Sequence, residues 1–307
     1  MSKIRSFIKE IYVNNRSFLN PLKALYDFYR YQLLSERAFI KKEFKRNLGY
    51  KVNLNDPKTF NEKLQWLKLY DRTEMHTRCA DKVMVREYVA DKIGNDYLIP
   101  LYFFTDNIND LHRENFPEDP VIIKTNHDSG SYRIVLDRNK ADWESIRSFF
   151  RKRIRRNYYT ISKEWQYKNI RPKVLVEKLL LDNNNNIPKD YKFHCFNGKV
   201  EYIQVDTDRQ KEHKRNLYNL NWEKIPVEWI YANDPGELKK PDLLNEMLAL
   251  AKSLSEDFIY VRIDFYEVGG KVYFGEITFH SESGMGKFNP EEYDHILGEK
   301  MVLPVKN

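Results

Sequence analysis

The chain reads as an α+β protein, with antiparallel sheets and helices set among them rather than a doubly wound parallel sheet. Three observations predict this. From about residue 76, helical and strand-like patterns alternate. Asn197-Gly198 separates two strand-like runs, 190–196 and 200–205, and is a strong type I′ hairpin signal. Gly269-Gly270 does the same between 259–266 and 271–279. Hairpins make antiparallel neighbours, whereas parallel strands need long crossovers.

Residues 1–75 read as helices, with Phe18, Leu22, Leu25, Phe28, Tyr29 and Leu33 at helical spacing. Asp56-Pro57 marks a turn. Thr59 then caps a helix with Glu62 at the capping-box spacing, and Phe60, Leu64 and Leu67 share one face. Residues 78–93 predict one helix, 98–104 a strand, and 121–124 a buried strand with 133–136 as its return partner. A basic helix is expected over 142–156, a short strand over 174–177 and an amphipathic helix over 241–256. The asparagines of 182–186 are turn formers rather than a prion-like tract. The expected organisation is a helical region over 1–75, a first α+β subdomain over 76–180 and a second over 181–307.

With 307 residues, 41% hydrophobic and 14% aromatic, the chain can build a sizeable core and is not globally disordered. Its net charge of +7 suggests an anionic partner without choosing among nucleotide, membrane surface and polysaccharide. The excess concentrates in Lys41, Lys42, Lys45 and Arg46, and in Arg147, Arg151, Lys152, Arg153, Arg155 and Arg156. Such runs are ordinarily solvated helix faces. No recognition motif supports a nucleic-acid partner. Over the first 45 residues, Arg16, Lys23, Arg30 and Arg37 stand among aromatics. That leaves two readings: a helical cap on the main domain, or an amphipathic segment resting on an anionic membrane face. Two distant cysteines, Cys79 and Cys195, make neither a disulfide framework nor a zinc cluster. Without an apolar signal core or an 18-residue apolar run, the expectation is a soluble cytoplasmic protein with at most peripheral contact at the inner membrane face.

Strand alternation puts Arg262 and Asp264 on one face of 259–266, with Val261, Ile263 and Phe265 on the other. On the partner strand Glu276 and Thr278 share a face. Charges on central strands are costly to bury without partners. Two carboxylates meeting across a hairpin therefore call for a cation: Mg²⁺, which takes hard oxygen ligands and borrows phosphate oxygens, or Arg262 in a plain salt-bridge network. Lys124 ends an apolar strand and is followed by a small polar loop with Ser129, Gly130 and Ser131. Such a loop can cradle phosphates, although it is not a P-loop and taken alone also fits a hairpin turn. Glu177 closes a strand before Leu179, an edge that can offer backbone groups to an adenine. Asp190 and Lys192 share a face, which by itself fits an exposed surface pair equally well.

The order Lys124, Glu177, Asp190-x-Lys192, Arg262-x-Asp264, Glu276-x-Thr278 resembles the ATP-grasp superfamily, in particular its TupA-like branch associated with teichuronopeptide and surface-polysaccharide biosynthesis. The resemblance runs through Phe60-Asn61-Glu62-Lys63-Leu64-Gln65-Trp66, Asp81-Lys82, Asp190-Tyr191-Lys192-Phe193, Phe196-Asn197-Gly198-Lys199 and Phe274-Gly275-Glu276-Ile277-Thr278-Phe279. It continues to Phe288-Asn289-Pro290-Glu291-Glu292-Tyr293-Asp294. It implies an ATP-grasp fold, two α+β subdomains clasping ATP, with a helical N-terminal region where many relatives carry a Rossmann-like domain. By the same implication Lys124 contacts the α/β phosphates and Ser129 to Ser131 cover them. Glu177 and the backbone of Leu179 hold adenine, Asp190 sits at the ribose and Lys192 near the γ-phosphate. Arg262 stabilises the transferring phosphoryl group, with Asp264, Glu276 and Thr278 at magnesium. Thr278 stands where many relatives have Asn, a better metal ligand.

The implied reaction is carboxylate–amine ligation through an acylphosphate. The expected partners are ATP, a uronic-acid-containing glycan or its sugar-nucleotide or lipid-linked precursor, and an amino acid or amine. A kinase or glycosyltransferase-like enzyme on the same nucleotide site, and a non-catalytic nucleotide-binding scaffold, are the alternatives. His194 and His280 lie near the site in sequence and are candidates to assist the amine, or structural residues. The stretch 279–287, with two glycines, is a candidate cradle for the acceptor.

Overall fold

The computed structural model describes residues 29–207 and 212–304. Strands β1 (Leu101–Thr105), β2 (Val121–Thr125), β3 (Tyr132–Val135) and β4 (Val174–Lys178) form a four-stranded antiparallel sheet in the order β1-β4-β2-β3. Then follow β5 (Asp190–Phe196), β6 (Lys199–Thr207), β7 (Lys214–Tyr218), β8 (Lys224–Ile225), β9 (Glu228–Trp229), β10 (Tyr260–Val268), β11 (Lys271–Thr278) and β12 (Phe288–Asn289). Six of these make a second antiparallel sheet in the order β11-β10-β5-β6-β7-β8, while β9 pairs with β12. The α+β expectation holds, and both hairpins form where the sequence placed them. Asn197 and Gly198 adopt φ of 48° and 76°, the two positive values a type I′ turn requires.

The helices are α1 (Glu36–Leu48), α2 (Phe60–Tyr70), α3 (Glu74–Ala80), α4 (Val85–Ile93), α5 (Trp143–Arg153), α6 (Tyr158–Ser162), α7 (Leu244–Ser255) and α8 (Glu292–Lys300). The single helix expected over 78–93 is two. Asp81 interrupts it, its carboxylate accepting from the backbone N–H of Val83 at 2.8 Å and so competing with the helical ladder. The strand expected over 98–104 starts only at Leu101, because Pro100 has no N–H to give a ladder and Leu98 bridges to Phe274 instead.

Helix α2 is capped as expected: Thr59 Oγ1 accepts from the N–H of Glu62, and Glu62 returns the bond to the N–H of Thr59. On α1 the basic run Lys41, Lys42, Lys45 and Arg46 is exposed while Glu43 and Phe44 are buried, with Arg30 donating to Glu43 at 2.7 Å. This is a solvated helix face. Phe18, Leu22, Leu25, Phe28, Arg16 and Lys23 lie outside the described residues. Among the described residues no helix is long and apolar enough to cross a membrane.

One face of the six-stranded sheet is apolar. Val261, Ile263 and Phe265 of β10 and Phe193 and Cys195 of β5 are fully buried against α7, α3 and α4. The other face carries Lys192, His194, Gln204, Asp206, Arg262 and Asp264, and these are buried as well. The four-stranded sheet has its own core with α5, built on Ile123, Val176, Ile146 and Phe150. A third cluster packs α2 and α8 on the end of the large sheet through Phe60, Leu64, Trp229, Tyr260 and Leu297.

In that cluster α8 meets the start of α2 backbone to backbone. A Cβ on Gly298 would stand 2.3 Å from the Lys58 carbonyl oxygen and 2.9 Å from the Phe60 nitrogen. Gly298→Ala gains about 1 kcal/mol of helix propensity but must push two backbones apart, an overpacking cost of about 1–3 kcal/mol or more. The expected outcome is a net loss of up to about 2 kcal/mol in a urea melt, and a gain in stability would refute the close approach.

Candidate active site

Pairing register assembles the polar face. Asp264 stands opposite Glu276 on β11 and opposite Lys192 on β5, and Lys192 stands opposite Gln204 on β6. Four strands thus line up Glu276, Asp264, Lys192 and Gln204 in one row, at the ~5 Å spacing of cross-strand neighbours. One step along, Arg262 faces Thr278 and His194. The Arg262 guanidinium donates to both oxygens of Asp264, at 2.7 and 2.8 Å, and to Glu276 Oε1 at 2.8 Å. Thr278 Oγ1 donates to the same Glu276 oxygen at 3.2 Å. The cation between the two carboxylates is therefore Arg262 itself, in a bidentate fork that suits carboxylates.

Burial raises Asp264 above the ordinary carboxylate range, against the pull of Arg262 and Lys192. Burial also works to raise Glu276, but the charges of Arg262, Lys82 and Lys192 outweigh it and hold this carboxylate below its usual value. The Glu276 side chain keeps 43% of its surface open to the cleft, which makes it the accessible member of the pair. Among the described residues no three His, Cys, Asp or Glu side chains gather as a metal centre. Two carboxylates and one hydroxyl make up the oxygen donor set.

Lys192 touches Asp190 and lies 3.6 Å from Asp206 and 3.8 Å from Asp264. Asp206 accepts from Arg215 Nε at 2.7 Å, and Arg215 reaches Glu282 at 2.8 Å. Across from this face stands the loop after β2. The hydroxyls of Thr125 and Ser131 both donate to Asp128, which pins the loop, and Gly130 takes φ +80°. Ser129 and Gly130 remain exposed. Lys82 donates to the Asp128 carbonyl oxygen at 2.6 Å, and burial lowers its proton affinity. Lys124 pairs with Glu177 at 2.9 Å, and Arg86 of α4 reaches the same carboxylate at 3.1 Å.

Between the walls lies a cleft of about 520 Å³, within the range of small-molecule sites. It is lined by Lys124, Ser129, Gly130, Ser131, Leu179, Asp190, Lys192, Arg262, Asp264 and Glu276, with Ile122, Ile134 and Ile187 supplying apolar surface. Of the residues expected from sequence, Glu177 and Thr278 do not line it. Glu177 sits behind Lys124, and Thr278 faces an adjoining chamber of about 290 Å³. The Leu179 N–H, expected at an adenine, already donates to the Pro120 carbonyl oxygen.

Among the lining residues not singled out from sequence for a role are Lys82, Asp206, Arg215 and Glu282. Asp206 carried a signal, since Gln204 and Asp206 alternate with Ile203 and Val205 on β6. Glu282 lies in the stretch 279–287 expected to cradle the acceptor, although no pattern singled out its side chain. It depends on a turn in which Glu282, Ser283 and Gly284 take φ of 50°, 54° and 61° in succession. Two non-glycine residues there are strained, and the turn is held from behind: Lys68 donates to the Ser283 carbonyl oxygen at 2.8 Å and Gln65 to that of Gly284 at 2.6 Å.

With this geometry in place, a family model described as TupA-like ATPgrasp matches residues 62–302. The chain belongs to the TupA-like ATP-grasp family. Its fold is accordingly the α+β ATP-grasp fold with a helical N-terminal region. Among solved structures it is similar to the D-alanine–D-alanine ligase of Bacillus anthracis, at 19% identity over 66% of this chain and 57% of that one, with a TM-score of 0.35. The ATP-grasp ligase PsnB, solved with a phosphomimetic variant of its minimal precursor, Mg and ADP, is 11% identical over 91% and 71% of the two chains, with a TM-score of 0.40. N5-carboxyaminoimidazole ribonucleotide synthetase, as an ADP complex, is 12% identical over 71% and 50%, with a TM-score of 0.41. The chain thus spans little more than half the length of the D-alanine–D-alanine ligases it matches. No curated protein matches it.

Of the two histidines, His194 has both ring nitrogens engaged within this TupA-like chain, by Tyr260 at 2.8 Å and Gln204 at 3.0 Å. Complete burial, with Arg262 nearby, lowers its pKa to about 3. The unfolded chain takes up a proton here below about pH 6.5 that the folded chain refuses until about pH 3. This residue's contribution to stability is therefore complete above that window and falls away as the pH drops through it. His194→Gln should lose stability less steeply than the wild type between about pH 4 and 6, the difference changing by up to about 1.4 kcal/mol per pH unit in urea midpoints. Parallel curves would show that the buried imidazole is not held neutral.

Proposed function

We propose that this chain is an ATP-dependent carboxylate–amine ligase that forms an amide through an acylphosphate. The observation that carries the reading is the row Glu276–Asp264–Lys192 with Arg262 beside it, facing Lys124 and the 126–131 loop across one cleft. Phosphoryl transfer needs little covalent help from protein and much charge neutralisation and positioning. Both walls supply it. Lys124, with Lys82 beside it, serves the nucleotide phosphates, and Ser129, Gly130 and Ser131 close over them. Ile122, Ile134 and Leu179 give the base an apolar slot, with Glu177 behind it fixing Lys124 and Asp190 near the ribose. Lys192 and Arg262 meet the transferring phosphoryl group.

Asp264 and Glu276, opposed across the hairpin with Thr278 beside them, fit magnesium, which takes one or two carboxylates and completes its shell with water and phosphate. Bound there, magnesium would add positive charge against the phosphates. For the acceptor we propose a uronic-acid carboxylate of a surface glycan or its precursor, on the likeness to the teichuronopeptide branch, with an amino acid or amine as the second substrate. Work at the cytoplasmic face of the membrane would bring the basic N-terminal residues to an anionic surface.

The test is incubation with Mg-ATP, glucuronic or galacturonic acid and a pool of amino acids, following ADP and new mass. ADP formation that needs both the acid and the amine is the expected result. ADP with a phosphorylated product and no amine requirement would make the protein a kinase, and binding without turnover a scaffold. Asp264→Asn and Glu276→Gln should each lower turnover by roughly 10²–10³-fold; full activity in both would end the metal assignment.

A further inference from the structure

The chamber of about 290 Å³ beside the cleft shares Lys82, Asp128, Ser129, Arg262, Glu276 and Glu282 with it. The two spaces therefore meet where the ligase reading places the reactive phosphate. The far wall of the chamber is different in kind: Tyr158, Glu164, Tyr167, Thr278, His280 and Ser283. Around the whole chamber carboxylates outnumber cationic side chains two to one. Asp128 accepts from two hydroxyls and Glu276 from Arg262, and Glu282 pairs with Arg215 at 2.8 Å. Glu164 and Glu282 are the two that neither the loop nor the metal reading uses.

Each is fixed in place. Glu164 accepts from Ser283 Oγ at 2.9 Å and Gln166 at 3.3 Å, and the Lys68 ammonium donates to the same Ser283 hydroxyl at 2.7 Å. Glu282 sits in the left-handed turn, where its backbone strain is offset by the Lys68 and Gln65 bonds described above. Strain of this kind persists where the surroundings over-determine it, as at ligand sites. The rings of Tyr158 and Tyr167 meet edge to face at 5.1 Å on the same wall. The field agrees with the count. Burial first, and then Glu164, Asp128, Glu276 and Glu282 together, raise the Tyr158 phenol.

We propose that this chamber receives the amine co-substrate as its ammonium ion, a small primary amine or the amino end of an amino acid, held among Glu164, Glu282 and the faces of Tyr158 and Tyr167. Carboxylates and aromatic faces are the groups that bind ammonium. The assignment rests on the ligase reading and names its second substrate. In the reaction the C–N bond forms as the acyl C–O bond to phosphate breaks. The phosphate leaves with the electron pair, and the nitrogen gives up two protons in all, to water and to the departing phosphate.

The experiment needs no turnover, so it fails separately from the ligase reading, which the ADP assay decides. Thr278→Cys puts a thiol in the chamber wall, while the native Cys79 and Cys195 are buried. With magnesium and ADP present, aminoethyl methanethiosulfonate (cationic) and sulfonatoethyl methanethiosulfonate (anionic) are compared, each normalised to its rate on free glutathione. The cationic reagent should react roughly tenfold faster, as a cleft of one sign concentrates counter-ions. Adding Glu282→Gln should cut that ratio roughly threefold, and ethanolamine should slow labelling where acetate at equal ionic strength does not. Equal rates, a faster anionic reagent, protection by acetate instead of ethanolamine, or no labelling by either reagent would each overturn the proposal. The Thr278→Cys comparison alone decides it should the double variant fail to fold.

Discussion

The structure depends on one electrostatic fact: a sheet face rich in charge is buried, and its charges are satisfied by one another. Arg262 bridges Asp264 and Glu276, Lys192 lies among Asp190, Asp206 and Asp264, and Arg215 joins Asp206 to Glu282. Removing ions from water costs several kcal/mol each, and that cost is met only when every member has a close partner of opposite sign. Apolar residues of similar size would hold the fold at least as well. The ionic face is therefore better explained by chemistry than by stability. The apolar reverse of the same strands, packed on α7, α3 and α4, supplies the stability.

Much of this was legible in the sequence because β-strands have an exact side-chain period. Alternation alone placed Arg262 and Asp264 opposite Val261 and Ile263, and the Gly269-Gly270 turn then brought Glu276 alongside. The capping box at Thr59 and the Asn197-Gly198 turn are local signals whose geometry needs no tertiary context, and both hold. The break at Asp81 was missed because helical periodicity continues through it, and only the side chain's bond to the Val83 N–H reveals the competition. Glu177 illustrates another limit. Sequence order placed it at the site, but the partners that engage it, Lys124 and Arg86, come from elements 53 and 91 residues away. Glu282 falls in the stretch 279–287 expected to cradle the acceptor, but its side chain could not be placed from sequence, since its position is set by a left-handed turn that α2 enforces from outside.

The N-terminal helices also acquire a specific role. Lys68 and Gln65 of α2 hold the carbonyl oxygens of the turn after β11, and Asn61 donates to the Gly286 carbonyl oxygen at 2.9 Å. A helix that sequence reading describes only as amphipathic thus serves as the template for a backbone conformation that non-glycine residues resist. The motif beginning at Phe60 and the stretch after β11 are two halves of one object, although more than 200 residues separate them.

Arg86 joins the two sheets. Its helix belongs to the core beneath the large sheet, yet its guanidinium reaches Glu177 on the small one and the Ile99 carbonyl oxygen just before β1. The distance between the two walls is thus set in part by a single half-buried ion pair. A pair buried to this degree is screened far less than an exposed one, so the spacing it sets between the sheets holds across ordinary salt concentrations.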